Sequence, residues 1–147
     1  VASIVEREVN WSDYYGQVAR VIENRLTDNT EVVGRLQMDS TVLYGVGKTG
    51  GVPTQADLAA DNPYNTYIYA GLPPGPISNP SVEVIKASFD PPAGDWLYFV
   101  TVNLETGETK FSNNLNDHNS YVQELRNWVA SNPAEAESAE EAENEGN

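Results

Sequence analysis

Apolar residues at Val1, Ile4, Val5 and Val9 recur with the spacing of one helix face, so the chain is expected to open inside a helix. A second helix is predicted from Ser12, an N-cap residue followed by Asp13 where the helix dipole favours an acid. Tyr14, Val18, Val21, Ile22 and Leu26 form its apolar face, and Gln17, Arg20, Glu23 and Asn24 its polar one. Leu36 to Met38 is too short to carry a pattern, and Ser40 to Tyr44 has room for one helical turn before the glycine-rich stretch 45–51. Over 61–80 the periodicity vanishes. DNPYNTYIYAGLPPGPISNP holds five of the chain's 9 prolines, a composition for an ordered loop in which prolines fix the backbone and tyrosines pack. Asn79-Pro80 then offers a cap and a first-turn proline for a helix over 81–89, which Pro91-Pro92 stops. WLYFVTV (96–102) reads as a strand, 103–107 as a turn and 108–112 as the hairpin partner. A last helix is predicted over 116–130, burying Tyr121, Val122, Leu125, Trp128 and Val129. Helices packed around one small antiparallel hairpin, with a long proline-rich ordered loop, make an α+β fold.

Composition changes this picture at the end of the chain. Beyond Pro133 the sequence AEAESAEEAENEGN has glutamates, no basic residue and no large apolar one, so 133–147 is expected to be an acidic disordered tail behind a single domain over 1–132. With 39% hydrophobic residues in 147, the rest is long enough to bury a core. The formal net charge of -14 repels phosphate backbones and anionic lipid alike, so neither nucleic acid nor a membrane surface is an expected partner. The chain contains no cysteine, which excludes disulfides and thiolate metal sites. No apolar run approaches the roughly 20 residues of a membrane span. Starting at Val1 without Met, inside an amphipathic stretch, the chain reads as a piece of a longer protein.

Chemistry is harder to find. The stretch 45–51 lacks the ending of a phosphate-binding loop, no GxSxG motif offers a serine nucleophile, and the single His118 cannot build a multi-histidine metal site, so no cofactor or metal is expected. Glu6 and Glu8, two residues apart, point about 200° from each other on a helix. They are therefore not the close carboxyl pair, about 5 Å apart, of a retaining glycosidase. From spacing alone both read as solvated helix charges. Glu6 has one local argument: it follows Ile4-Val5 at the border of the apolar face, where partial burial favours the protonated form that an acid needs. Tyr64, Tyr67, Tyr69 and Trp96 are candidates for stacking on sugar rings, against the plainer reading of loop and core packing.

The motifs ASIVERE (2–8), ENRL (23–26), LQMDSTVLYG (36–45), NPYNTY (62–67), GLPPGPISNP (71–80), LYFV (97–100) and FSNNLNDHN (111–119) occur in the order and at spacing compatible with the YceG-like family of endolytic murein transglycosylases, which the chain resembles over 2–122. That family usually has Ser or Thr where Met38 stands and often Pro at the position of Ser40. The resemblance implies a lytic transglycosylase that cuts MurNAc–GlcNAc bonds within peptidoglycan strands, leaves 1,6-anhydroMurNAc ends and uses Glu6 as its one catalytic acid and base. It implies substrate contacts by Gln37, Asp39, Tyr64, Asn65, Thr66 and Tyr67. Glu8 is expected to be structural, paired with Arg25 or Arg20. It further implies work at the extracytoplasmic face of a bacterial membrane, a membrane helix and a LysM-like region upstream, and cell-wall synthesis proteins as candidate partners. Two rival readings remain: a lysozyme-type hydrolase with Asp39 as second carboxylate, and a non-catalytic peptidoglycan-binding module that does not need Glu6.

Overall fold

The computed structural model describes residues 1–138, and its contacts divide the chain into two units, Val1–Gly94 and Asp95–Asn147. The first is helical: α1 (Ala2–Glu8), a 3-10 turn (Ser12–Tyr14), α2 (Tyr15–Thr27), α3 (Asp39–Gly45), α4 (Gln55–Ala59) and α5 (Val82–Phe89). α1 packs on α2, α3 and α5, and α2 packs on α5. Ile4 and Val5 from α1, Val18, Val21 and Ile22 from α2, Leu36, Val42 and Val84 are all shut off from solvent. Each such side chain stabilises the unit by roughly 1.5–3 kcal/mol through the area it removes from water. The helix spacing seen in the sequence is thus the spacing that makes the core.

Several boundaries differ from expectation. Ser12 does not cap α2: the 3-10 turn begins there, closed by the Tyr14 N–H donating to the Trp11 carbonyl, and the α-helix starts only at Tyr15. The cap of α5 is Ser81 rather than Asn79, because the Ser81 hydroxyl reaches back to accept from the Val84 N–H at 3.3 Å and its extended backbone (φ -66°, ψ 159°) lies outside the helix. α4 is an addition. Its signal was Thr54-Gln-Ala-Asp57, a capping box in which Thr54 Oγ1 accepts from the Asp57 N–H and the Asp57 carboxylate accepts from the Thr54 N–H. Pro91-Pro92 does more than stop α5. Arg20 donates to the carbonyls of Pro91 and Pro92, at 3.1 and 2.8 Å, and Asn24 donates to Gly94 O, so the chain is strapped back along α2. A Cβ on Gly16 would stand 2.9 Å from the Pro92 ring, which makes glycine the residue that lets the strap close.

After α2, Asp28 turns the chain. Its Oδ2 accepts from the N–H groups of Thr30, Glu31, Val32 and Val33, and this carboxylate is held at a pKa of about 2, below its ordinary 3.8, first by the Val32 amide, with Glu31, Val33 and Thr30 adding to it. A carboxyl whose folded pKa is depressed contributes stability that is complete above its unfolded pKa and lost as pH falls through the folded value. Acid melts should therefore show a loss from this group between pH 3.8 and about 2, absent in Asp28→Asn, which is less stable at neutral pH. A wild-type and variant melting temperature that fall in parallel over that window would exclude the turn as its source.

The second unit is a hairpin under a helix. β1 (Tyr98–Thr101) pairs antiparallel with β2 (Thr109–Ser112), Tyr98 opposite Ser112 and Thr101 opposite Thr109, and α6 (Leu115–Ser131) packs on both strands. Asn114 caps α6 by accepting from the Asp117 N–H at 2.9 Å. The side chains expected to be buried by this helix are not: none of its residues is fully covered, Tyr121, Val122, Leu125 and Trp128 are half-buried, and Val129 is exposed. Two strands are too narrow a floor to bury a whole face of a 17-residue helix. Residues 133–138 form a further helical turn with Ala136 buried. Residues 139–147 lie outside the described residues. Among the described residues no helix is long and apolar enough to cross a membrane.

Candidate active site

α1 delivers its two glutamates to different neighbours, as their spacing requires. Glu8 turns to α3, where its Oε1 accepts from the Ser40 hydroxyl at 2.7 Å and from the Ser40 N–H at 3.3 Å. Glu6, half-buried, turns to the start of α5, where its Oε1 accepts from the Ser81 N–H at 3.3 Å. Among the described residues no hydrogen bond reaches Glu6 Oε2. Ser3, one turn earlier on the same face, is buried and accepts from the Ile77 N–H at 3.1 Å, while Ser78 Oγ donates to the Ser3 carbonyl at 2.8 Å. The end of the GLPPGPISNP loop is thereby fastened along α1. The Tyr15 phenol is pushed up by burial and then by the Glu6 and Glu83 carboxylates, so these three groups share one neighbourhood. Between the glutamates, Arg7 donates to the Thr49 carbonyl at 3.0 Å and ties the glycine-rich stretch to α1.

Around Glu8 the other motifs meet. The Tyr67 hydroxyl donates to Asp39 Oδ1 at 2.6 Å. Burial first and the Asp39 carboxylate second push that phenol well above its usual range, with Glu8 adding to the rise and Arg25 opposing it. Arg25 is buried and donates to the carbonyls of Arg35 and Leu36 at 3.2 and 3.1 Å, and approaches Gln37 Oε1 at 3.5 Å. Arg20, the other basic residue expected beside Glu8, is turned to Pro91, Pro92 and Glu23 instead. Gln37 itself is exposed with φ 52°, a left-handed backbone that costs a non-glycine residue about 1 kcal/mol or more. The carbonyls gripped by Arg25 and the bond from the Gln37 N–H to the Thr66 carbonyl hold it there.

The six residues expected at the substrate separate into two kinds. Asn65 and Thr66 are 0% and 2% exposed and have no face toward solvent. Asn65 Nδ2 donates to the Leu58 and Ala60 carbonyls and its Oδ1 accepts from the Tyr67 N–H. Thr66 Oγ1 accepts from the Met38 N–H; since the Thr41 hydroxyl spends its one proton on Met38 O, the 2.8 Å contact between the two threonines is donated by Thr66. These two side chains fix the loop and hold α3 against it. Gln37, Asp39, Tyr64 and Tyr67 keep exposed atoms. Tyr64 lies against Tyr44, ring centroids 4.8 Å apart and planes tilted by 54°, and Tyr44 remains 45% exposed, an aromatic surface that sequence reasoning missed although the LYG end of its motif carries it. Of the other aromatics, Tyr69 donates to Asp61, and Trp96 belongs to the second unit, where it packs on Phe111. A side chain at Gly45 would run into Asn62, whose Oδ1 accepts from the Tyr64 N–H, so α3 ends in glycine where NPYNTY crosses it.

Comparison with known proteins bears on the family and the fold. The model of the YceG-like family matches residues 1–124. The chain is 38% identical over 119 residues to the endolytic murein transglycosylase of Bacillus subtilis (strain 168), covering 81% of this chain and 31% of that protein. It is 35% identical over 129 residues to the endolytic murein transglycosylase of Streptococcus pneumoniae serotype 2 (strain D39), covering 84% of this chain and 22% of the relative. The crystal structure of a yceG-like protein from Listeria monocytogenes superposes with a TM-score of 0.72 at 42% identity, over 81% of this chain and 37% of that one. The chain thus spans about a third or less of the curated relatives it matches. With motifs, fold and family match coinciding over the same residues, the chain belongs to the YceG-like family.

Proposed function

We propose that this chain is the catalytic part of a lytic transglycosylase that cuts MurNAc–GlcNAc bonds inside peptidoglycan strands, at the extracytoplasmic face of a bacterial membrane, with Glu6 as its single acid and base. The names of the relatives support the reaction class. The observation that carries the assignment to Glu6 is the difference between the two glutamates of α1: Glu8 Oε1 accepts from both the hydroxyl and the N–H of Ser40, whereas Glu6 is held by the single 3.3 Å bond from the Ser81 N–H.

One carboxyl group is enough for this chemistry. Protonated Glu6 gives its proton to the glycosidic oxygen as the C1–O bond breaks and the anomeric carbon takes on oxocarbenium character. The carboxylate then takes the proton of the C6 hydroxyl of the same MurNAc, whose oxygen bonds to C1 and closes the 1,6-anhydro ring. Glu6 ends protonated and no water is consumed. An internal hydroxyl has a high effective concentration and outruns solvent once the sugar is correctly held. Gln37, Asp39, Tyr64 and Tyr67 supply the acceptors, donors and flat faces for that holding; Asn65 and Thr66 act through them.

Digestion of purified peptidoglycan followed by mass spectrometry of the strand ends tests the reaction class. Tyr67→Phe tests the holding: loss of the bond to Asp39 should lower kcat/KM by about tenfold, as for a hydrogen bond to a charged group, with little change in melting temperature. Unaltered kinetics in that variant would remove the Tyr67–Asp39 pair from the substrate.

A further inference from the structure

The bond between Glu6 and Ser81 has a consequence for the direction of proton delivery. A backbone N–H only donates, and of the two oxygens of a protonated carboxyl the carbonyl oxygen is the better acceptor, so the bond favours Oε1 as the carbonyl and Oε2 as the hydroxyl. We infer that the Ser81 amide is a positioning group for Glu6: it keeps Oε1 an acceptor and leaves the transferable proton on Oε2, the oxygen that no hydrogen bond from the described residues reaches. Ser81 is itself fixed from both sides. Ser3 receives Ile77 and Ser78 one turn before Glu6, and the Ser81 hydroxyl and carbonyl are engaged by Val84 and Ile85 of α5. The proline-rich loop therefore ends in an amide aimed at the acid, and GLPPGPISNP acts on catalysis by orienting Glu6. This inference rests on Glu6 being the acid proposed above.

The test separates the amide of Ser81 from its hydroxyl. Ser81→Pro removes the N–H, whose acceptor is Glu6, and its φ of -66° is the angle that proline adopts. Ser81→Ala removes the helix cap and keeps the N–H. In the full-length protein, Ser81→Pro should lower kcat by about ten- to a hundredfold, the range for a hydrogen bond to a charged group, with KM nearly unchanged. Ser81→Ala should lower the melting temperature yet keep kcat near wild type. Where Ser81→Pro does not fold, replacing the residue by its α-hydroxy acid counterpart, which turns the amide into an ester and keeps the side chain, should show the same kcat loss. Wild-type kcat in the variant without the N–H, or an equal loss in Ser81→Ala, overturns the inference. Glu6→Gln run in parallel distinguishes the failures: if it stays active, the proposed acid is wrong; if it is dead while the amide-less variant is not, only the positioning role is.

Discussion

Glu6→Gln should fold as the wild type does and lose glycan cleavage by roughly 100-fold or more, the contribution of a positioned general acid. Folding is expected to survive because the glutamine carbonyl replaces Oε1 as the acceptor for the Ser81 N–H and the side chain keeps its size. Catalysis is not, because an amide has no proton to give at Oε2 and cannot later take one from the C6 hydroxyl. The products of the wild-type enzyme complete the test. A transglycosylase leaves 1,6-anhydroMurNAc ends, one water lighter than reducing MurNAc ends and resistant to borohydride. Predominantly reducible ends from an active enzyme would replace this reading with a hydrolase, for which Asp39 is the second carboxylate to mutate. Full activity in Glu6→Gln would take the acid away from α1 altogether. Binding of glycan strands with no cleavage by the intact protein would leave a peptidoglycan-binding module.

The second large effect is on stability. Asn65→Ala removes three hydrogen bonds from a site with no access to water: those to the Leu58 and Ala60 carbonyls, at 3.0 and 2.9 Å, and that from the Tyr67 N–H at 3.0 Å. Stranding buried polar partners costs about 1–3 kcal/mol each, so a total of about 3 kcal/mol or more is expected, and a fall in melting temperature on the order of 10 °C. Activity per folded molecule should fall too, since Tyr67 hangs on the same turn, but stability should be the first casualty. Thermal melts followed by circular dichroism decide it. A melting temperature equal to wild type would mean that the turn is held by its backbone bonds alone, and would return Asn65 to the substrate.

What the sequence determined by itself was whatever depends on local periodicity and local chemistry. The apolar spacing of α1 and α2, the hairpin from Tyr98 to Ser112, the absence of regular structure in the proline-rich loop and the divergence of Glu6 from Glu8 were all readable, because each follows from the pitch of a helix, the alternation of a strand or the stiffness of proline. The motifs fixed the family. The tertiary structure decided which polar side chains are spent inside and which are left for a ligand. Asn65 and Tyr67 look equally available in NPYNTY, yet one is sealed under the turn that it builds and the other reaches Asp39 across the chain. Nor does anything near Glu6 in sequence announce the Ser81 amide 75 residues away, because a backbone N–H is present at every residue but proline and only folding selects the one that faces the acid. The same holds for Gln37, whose left-handed backbone is sustained by Arg25 and Thr66 from other elements. Burial and long-range hydrogen bonding are properties of the packed chain, and a side chain's role in this site follows from them more than from its type.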